Sequence, residues 1–224
     1  MKRRDFVIST CTGLAGLSLT ANGAVQQKTS QPDLFALAEK KGFQVFNRSL
    51  SSFSDGAKKG VRFSEVLGDG VAYLPDITFA NGTIEFDVKG KDVFQQSFVG
   101  VAFHGVDGAT FDVIYFRPFN FRPEDAARRQ RAVQYVAHPT YPWSKLRAEH
   151  PGKYEQPVNP VPDPNDWFHA RVVVAHPKVS VFVNDAKAPC LEVTQLSDRK
   201  KGLVGLWVGS GSGGDFANFK IVPA

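Results

Sequence analysis

Residues Gly82–Lys89, GTIEFDVK, are the stretch of sequence that decides the fold. Ile84, Phe86 and Val88 fall on one face of an extended chain, and the charged residues between them fall on the other. A strand with one apolar and one polar face is typical of an antiparallel sheet that covers a core with one side only. The stretch therefore predicts a half-buried antiparallel strand.

Similar runs recur along the chain, at 98–104, 111–117, 131–137, 168–175, 179–184, 203–208 and 216–222, with weaker candidates at 61–66, 71–74 and 77–79. Turn signals such as Asn81-Gly82 and Asp107-Gly108 separate them, often at the spacing of a β-sandwich or barrel. The βαβ rhythm of nucleotide-binding α/β folds is absent from the sequence. These runs predict an all-β fold.

The composition fits one globular domain. The chain has 224 residues, of which 42% are hydrophobic and 22% charged, which excludes a disordered or collagen-like protein. There are 19 Phe against one Met. A core rich in Phe and Val with no Met filler favours sheets over helices.

The N-terminus resembles a twin-arginine export signal. Lys2, Arg3 and Arg4 precede a moderately apolar stretch at 6–19, and small residues at 21–24 offer a cleavage site. The apolar stretch is too short for an ordinary transmembrane helix. We expect 1–24 to be a signal peptide, 25–42 a tether with a short helix capped by Asp33, and 43–224 the sandwich domain. The protein is then periplasmic or secreted, without a stable membrane anchor. The alternative is the basic N-terminus of a cytosolic protein.

Removal of residues 1–24 changes the charge and the cysteine count. The net charge falls from +5 to +3, because three basic residues and one acidic residue leave with the signal. The remaining basic residues are scattered, which favours solvated turns over a nucleic-acid-binding surface. Cys190 is then the remaining cysteine, so the domain has no internal disulfide.

The segment from Pro118 to Asp166 departs from the strand pattern. It is rich in prolines and also carries Tyr141, Trp143 and Tyr154. A short helix is predicted after Pro123, followed by extended chain near 134–135 and then a long loop. Long structured loops on all-β scaffolds are usually functional or cover an open end of the core.

Several runs together carry a family resemblance: GTIEFDV at 82–88, FVGVAFH at 98–104, YFRP at 115–118, VQY at 133–135, DWFHARVVV at 166–174, VFVND at 181–185, GLVGLW at 202–207 and FANF at 216–219. They resemble the concanavalin A-like lectin/glucanase superfamily, most of all its bacterial 3-keto-disaccharide hydrolase-like, or family 16 glycoside hydrolase-like, domains. The resemblance spans residues 43–222 and implies a two-sheet antiparallel jelly-roll sandwich with a carbohydrate ligand. It leaves two functions open: a glycoside hydrolase acting on an oligosaccharide or modified disaccharide, and a non-catalytic, lectin-like glycan-binding module.

Glu85 and Asp87 are the first candidates for hydrolysis. Residues i and i+2 of a strand point the same way at ~6–7 Å, near the ~5–5.5 Å that separates the carboxyl groups of retaining glycosidases. Glucanases of the superfamily carry a second Glu shortly after Glu-x-Asp, and this chain has Val88 and Lys89 there instead. The alternative, two solvated carboxylates on an outer sheet face, is therefore favoured.

A second group of candidates is predicted to converge where the strands meet the long loop: His104, Tyr115, Arg117, Gln134, Tyr135, His138 and Trp143. Aromatic faces stack on sugars, and Arg, Gln and His donate to hydroxyls. If the resemblance implies catalysis, His104 or His138 acts as general base and Arg117 binds an anion or keto group. Tyr115, Gln134, Tyr135 and Trp143 are then carbohydrate-binding. In the alternative, the two tyrosines are core residues and Arg117 pairs with Asp112 or Glu124.

The sequence predicts no cofactor. No His/Cys cluster indicates zinc. Some superfamily members hold a structural Ca²⁺, for which Asp215 with Asn218, or Asp163 with Asn165 and Asp166, are the candidate ligands, and neither set has a defined ligand spacing.

Overall fold

The computed structural model describes residues 28–224. The predicted export signal at 1–24 lies outside the described residues. Within the part of the chain that is described, no helix is long and apolar enough to cross a membrane.

The described residues form a sandwich of two antiparallel sheets. The strands are β1 (Gln44–Phe46), β2 (Leu50–Asp55), β3 (Lys58–Val66), β4 (Gly70–Phe79), β5 (Gly82–Lys89), β6 (Val99–Gly105), β7 (Phe111–Phe116), β8 (Val133–His138), β9 (Glu155–Gln156), β10 (Phe168–Ala175), β11 (Lys178–Val183), β12 (Leu191–Thr194), β13 (Gly202–Val208) and β14 (Ser212–Pro223). The helices are α1 (Leu34–Glu39), a 3₁₀ helix (Pro118–Asn120), α2 (Ala126–Arg129) and α3 (Trp143–Glu149).

Each sheet has seven strands. The front sheet has the order β1-β4-β13-β6-β7-β8-β9, and the back sheet has the order β12-β11-β10-β5-β14-β3-β2. Strands that are distant in sequence lie side by side in both sheets, as in a jelly roll. The predicted all-β, two-sheet antiparallel sandwich is confirmed.

Phenylalanines fill much of the space between the sheets. Phe116 of β7 packs edge-on against Phe168 of β10, with ring centroids 5.1 Å apart. In the back sheet Phe86 lies 6.3 Å from Phe216 and 6.1 Å from Phe219. All five side chains are buried, and each such burial contributes about 1.5–3 kcal/mol to folding. The core is thus built from the residues that the composition singled out.

The stretch that predicted the fold lies in the middle of the back sheet. β5 has the predicted bounds and pairs with β10 on one side and β14 on the other. The predicted short N-terminal helix is α1, and the Asp33 carboxylate accepts a hydrogen bond from the Ala36 backbone N–H at 3.0 Å. This cap is the kind that the sequence signal describes.

The structure differs from the predicted elements in several places. The separate candidates at 71–74 and 77–79 belong to one strand, β4, which continues through Pro75 and Asp76. The pairing of β13 shifts register between Leu203 and Gly205 opposite this point, so the proline occupies an irregular position where no ladder hydrogen bond is needed.

The segment predicted as a long loop is also more regular than expected. It contains α3 and β9 after β8. α3 follows Pro142, whose side chain provides no cap, and Leu146 is its buried residue. A seven-residue helix with one buried residue and no capping side chain has no periodic signal in the sequence, which is why it was missed.

Candidate functional site

A row of side chains crosses the outer face of the front sheet. Trp207 of β13 pairs with Gly100 of β6, which pairs with Tyr115 of β7; Tyr115 pairs with Gln134 of β8, and Gln134 with Glu155 of β9. Paired residues on neighbouring strands point to the same face. Gly100 has no side chain, and the rings of Trp207 and Tyr115 on either side of it lie 5.0 Å apart. We call Trp207, Tyr115, Gln134 and Glu155 the floor row.

The floor row faces away from the back sheet. Phe116, the neighbour of Tyr115 along β7, packs inward on Phe168 of the back sheet, and successive side chains of a strand alternate between faces. A cavity of about 530 Å³ lies over Tyr115 and Trp207. This volume lies within the ~300–1,000 Å³ of small-molecule sites.

Five connections wall the cavity. They are the β3–β4 loop, the β5–β6 loop, the segment from the 3₁₀ helix to Arg131, the segment that leads into α3 and its first turns, and the β13–β14 turn. Because these segments are far apart in sequence, the cavity exists only in the folded sandwich. It is termed the front cavity below.

Arg117 is the most deeply buried cation of the front cavity. Its side chain is 6% exposed, and its guanidinium donates to the Tyr115 hydroxyl at 2.7 Å, to the Gln134 carbonyl, and to the Arg131 backbone carbonyl at 2.9 Å. Burial lowers the pKa of Arg117, although a guanidinium stays charged in a protein. Burial also raises the pKa of Tyr115 to about 12, so its hydroxyl stays protonated and donates to Gln134 at 2.8 Å.

Glu155 compensates part of the positive charge. Its carboxylate, 6% exposed, accepts two hydrogen bonds from Arg147 of α3 at 2.8 and 2.7 Å. The same carboxylate lies 3.7 Å from Arg117 and 3.7 Å from Arg131. One negative charge is therefore shared by three guanidinium groups, and the bidentate pair belongs to Arg147.

Aromatic rings line the walls as well as the floor. Trp143, at the start of α3, is 49% exposed, and the Arg147 guanidinium lies 4.9 Å from its ring centre. Phe94 of the β5–β6 loop is 56% exposed, with Arg128 4.5 Å from its ring centre. An exposed ring beside fixed cations offers both stacking and hydrogen bonding to one ligand.

Asp69 and His138 form a titratable pair at the edge of the front cavity. The His138 Nε2 atom lies 3.7 Å from the Asp69 carboxylate. Burial raises the pKa of Asp69 and lowers the pKa of His138. Each group is thus moved towards its neutral form, which is the condition under which a carboxyl group donates a proton and an imidazole accepts one.

The structure brings together part of the predicted group. Tyr115, Arg117, His138 and Trp143 line the front cavity, and Gln134 lies directly beneath, bonded to two of them. Arg117 pairs with neither Asp112 nor Glu124, the partners considered from the sequence; its nearest carboxylate is Glu155.

His104 and Tyr135 are not in the front cavity, so the predicted convergence is corrected for them. His104 is fully buried, with Nε2 2.7 Å from the Ala80 carbonyl and Nδ1 2.9 Å from the Gln195 amide. Burial lowers its pKa. Tyr135 donates to the buried Asp112 carboxylate. Adjacent residues of a strand point to opposite faces, which is why Gln134 lies on the face that carries the front cavity and Tyr135 lies on the other face.

Glu85 and Asp87 lie on the outer face of the back sheet, away from the front cavity. Asp87 accepts from Lys58 at 2.7 Å, from His169 at 2.8 Å and from Asn218 at 2.6 Å. Burial opposes ionisation, but these hydrogen bonds lower the pKa of Asp87 to about 2. Its lone pairs are used by these partners, so the pair belongs to an ion-pair cluster and offers no unengaged nucleophile.

Several residues that line the front cavity or lie beneath it were not anticipated as site residues: Asp69, Phe94, Phe98, Arg128, Arg131, Arg147, Glu155 and Trp207. Most of them lie in loops or short helices, where no periodicity marks the direction of a side chain. The GLVGLW run at 202–207 did carry a signal, because its Trp falls on the face opposite Val204 and Leu206 in the alternation.

The residues present do not fit a structural calcium ion. The Asp215 carboxylate is held by Arg62 at 2.6 and 2.7 Å, and Asn218 donates to Asp87. Asp163 accepts from Arg122 at 3.1 Å. In residues 28–224 no group of three or more His, Cys, Asp or Glu is placed to hold a metal ion.

The chain is similar to known proteins in structure rather than in sequence. No protein-family model matches the chain, and no curated protein matches it by sequence. Solved structures do match. Carbohydrate binding module CBM66 from Bacillus subtilis has a TM-score of 0.56 at 15% identity, covering 81% of this chain and 96% of that one.

Two further structures are similar. A protein of unknown function with a galectin-like fold from Bacillus subtilis has a TM-score of 0.58 at 14% identity, covering 88% of this chain and 97% of its own. A protein from Parabacteroides distasonis ATCC 8503, provisionally described as a glycosyl hydrolase, has a TM-score of 0.50 at 14% identity, covering 82% and 89%. Identities this low establish the fold alone. The chain therefore adopts the galectin-like jelly-roll sandwich.

Proposed function

We propose that the protein binds a carbohydrate in the front cavity. The observation that carries the proposal is the combination, in one cavity of about 530 Å³, of an exposed Trp143 ring with an aromatic floor and fixed donors. Sugars present C–H faces that stack on aromatic rings and hydroxyls that accept from Arg and indole N–H groups. The fold likeness to a carbohydrate binding module supports the same ligand class.

The volume of the front cavity limits the size of the ligand. A volume near 530 Å³ suits one or two sugar rings better than a long chain, because drug-sized ligands fill sites of this order. The cavity is open on the side of Trp143 and Phe94, whose rings are about half exposed. A longer glycan would therefore place one end in the cavity and stack its next residue on these rings.

Titration calorimetry of the full chain against a glycan panel, with 3-keto sugars included, tests the proposal. Trp143→Ala is expected to weaken binding by about tenfold or more, since a stacking face is removed. Trp167→Ala is the matched control, because Trp167 lies far from the front cavity and stacks on Phe53 at 5.6 Å. Unchanged affinity in Trp143→Ala, or no binding of any glycan on a broad panel, would refute the proposal.

Glycoside hydrolysis is a second candidate, and Asp69 with His138 is the observation that favours it. Their opposed pKa shifts suit proton transfer to a leaving group and from a water. Glu155 is bound to Arg147 and lies near two further arginines. Among the described residues, the front cavity therefore has no second free carboxylate for the double-displacement mechanism of a retaining glycosidase. Arg117 would orient the substrate and His138 would act as base.

Product analysis separates the two functions. If the protein is a hydrolase, Asp69→Asn and His138→Gln abolish turnover while sugar affinity is retained. If it is a binding module, the unaltered protein gives no product from any glycan that it binds. Arg122→Gln is the control, since this exposed residue pairs with Asp163 outside the cavity.

We further propose export through the twin-arginine route, on the strength of Arg3 and Arg4 ahead of the apolar stretch at 6–19. Cell fractionation tests this. Replacement of both arginines by lysine is expected to leave the protein in the cytoplasm, and an unchanged distribution would contradict the proposal.

A further inference from the structure

The front cavity carries more positive charge than its carboxylates balance. Four arginines line it, Arg117, Arg128, Arg131 and Arg147, with Asp69 as the lining carboxylate. Glu155 is bound to Arg147 by two short hydrogen bonds. The cations that remain have no carboxylate within hydrogen-bond distance among residues 28–224.

The guanidinium group of Arg131 has N–H donors that no acceptor in the described chain uses. Its closest carboxylate is Glu155 at 3.7 Å, beyond hydrogen-bond distance, and its side chain is 43% exposed at the cavity. In the described chain its side chain donates no hydrogen bond. Arg128, by contrast, uses donors on the Asn120 side chain at 3.2 Å and the Phe119 carbonyl at 2.7 Å. Arg131 is thus the residue whose fork is available to a ligand.

The floor adds donors that also lack acceptors. The indole N–H of Trp207 and the amide nitrogen of Gln134 are buried without a hydrogen-bond partner in the described part of the chain. Trp207 lines the cavity and is 3% exposed. A buried donor left without an acceptor costs about 1–3 kcal/mol. A ligand that presents acceptor oxygens to the floor would remove that cost.

The choice of cation also indicates the ligand. The described residues that line the cavity include four arginines and no lysine. A guanidinium presents a planar fork that matches a carboxylate or sulfate with two parallel hydrogen bonds, whereas an ammonium acts as a point charge. Arginine fixed on an aromatic ring, as Arg128 is on Phe94, is further preorganised for such a contact.

We propose that the front cavity binds an acidic saccharide, a sugar that carries a carboxylate or a sulfate ester, and that the fork of Arg131 holds its anionic group. This inference rests on the proposed carbohydrate function and narrows its ligand class. The sugar ring stacks on the exposed aromatic wall, and ring oxygens accept from the floor. The anionic substituent supplies the charge that Glu155 and Asp69 leave unbalanced.

The test compares sugars that differ in charge alone. Calorimetry of the full chain uses a glucuronate-containing disaccharide and its methyl ester, a sulfated disaccharide and its unsulfated form, and inorganic sulfate, at low and at physiological salt. We expect at least one charged sugar to bind about tenfold or more tightly than its neutral partner, with the preference reduced by salt. The two pairs show whether carboxylate or sulfate is the group recognised.

Variants of Arg131 test whether its guanidinium binds the anionic group of the sugar. Arg131→Gln is expected to abolish the preference for the charged sugar, because it weakens binding of the charged sugar far more than binding of the neutral sugar. Arg131→Lys retains a small part of the preference because the fork is lost. Arg122→Gln, the exposed control outside the cavity, keeps the full preference. Circular dichroism confirms the fold of each variant.

The outcomes separate this inference from the proposed function. Equal binding of charged and neutral sugars, or a preference that survives in Arg131→Gln, overturns the acidic-saccharide assignment and leaves carbohydrate binding intact. Failure of every sugar to bind overturns both. Binding of inorganic sulfate alone, without any sugar, also overturns both, because the site would then recognise the anion and not the ring.

Discussion

Replacement of Glu155 by Gln is the most demanding test of how the front cavity is held together. The Glu155 side chain is 6% exposed, accepts two hydrogen bonds from Arg147, and lies 3.7 Å from Arg117, whose side chain is equally buried. Glutamine preserves the shape and removes the charge. The guanidinium groups of Arg117 and Arg147 then lose their shared counter-charge. The two positive charges stay partly buried without the negative partner.

The magnitude follows from burial. Breaking a buried pair in this way costs about 3–5 kcal/mol, and the 28% exposure of Arg147 places this case near the lower end because water screens that partner. A loss of about 3 kcal/mol corresponds to a fall in Tm of about 6–12 °C for a domain of this size. Glu155→Gln is therefore expected to unfold well below the parent protein.

Chemical denaturation and thermal unfolding of the full chain measure the effect. Asp163→Asn is the matched control, since Asp163 forms an ion pair with Arg122 in which both side chains are 52% exposed, and such surface pairs contribute about 0–1 kcal/mol. A loss for Glu155→Gln no greater than that for the control would refute the reasoning.

Three further predictions concern the stability of the sandwich and the reactivity of its cysteine. Gly100→Ala is expected to destabilise the protein by about 2 kcal/mol or more, because the added Cβ would lie 2.1 Å from the Ile114 carbonyl oxygen; unchanged urea unfolding would contradict the register described. The pKa of Asp87 is lowered to about 2 in the folded protein, against about 3.9 in the unfolded chain. The stability that its carboxylate contributes is therefore complete above about pH 3.9 and is lost as the pH falls towards 2. A pH series of unfolding curves should show that the stability of Asp87→Asn depends less on acid. Burial raises the pKa of Cys190 to about 11, so its thiol should be unreactive in the folded protein at neutral pH. In a Cys11→Ser chain, mass spectrometry should show that iodoacetamide alkylates Cys190 in urea and leaves it unmodified without urea. Rapid alkylation without urea would rule this out.

The strands were predictable because alternation is a local property. β5 and β10 have the predicted bounds, since each has one face on the core and one on solvent. Four strands were missed. β1, β9 and β12 have two to four residues, too few to show a period, and β2 has no buried residue to alternate with exposed ones. α3 was missed for a similar reason, because its role is to carry Trp143 and Arg147 over the sheet rather than to bury a stripe.

The candidate site was predictable in part. Arg117, Tyr115 and Gln134 were found because two neighbouring strands place polar groups on the same face, and the sequence shows that alternation. His104 looked equivalent to them, yet it is fully buried and bonded to the Ala80 carbonyl and Gln195. A polar residue at a strand end has no local signal that distinguishes a ligand-facing side chain from one with buried partners.

The sequence by itself determined an all-β sandwich with a Phe-rich core, since the period of two and the composition both depend on neighbours along the chain. The tertiary structure alone decided which charges meet. Glu155 lies under Arg117 and Arg147, Asp69 faces His138, and the Arg131 side chain donates no hydrogen bond among the described residues. These contacts join residues on different strands and loops, and strand order, which no local pattern encodes, sets their distances.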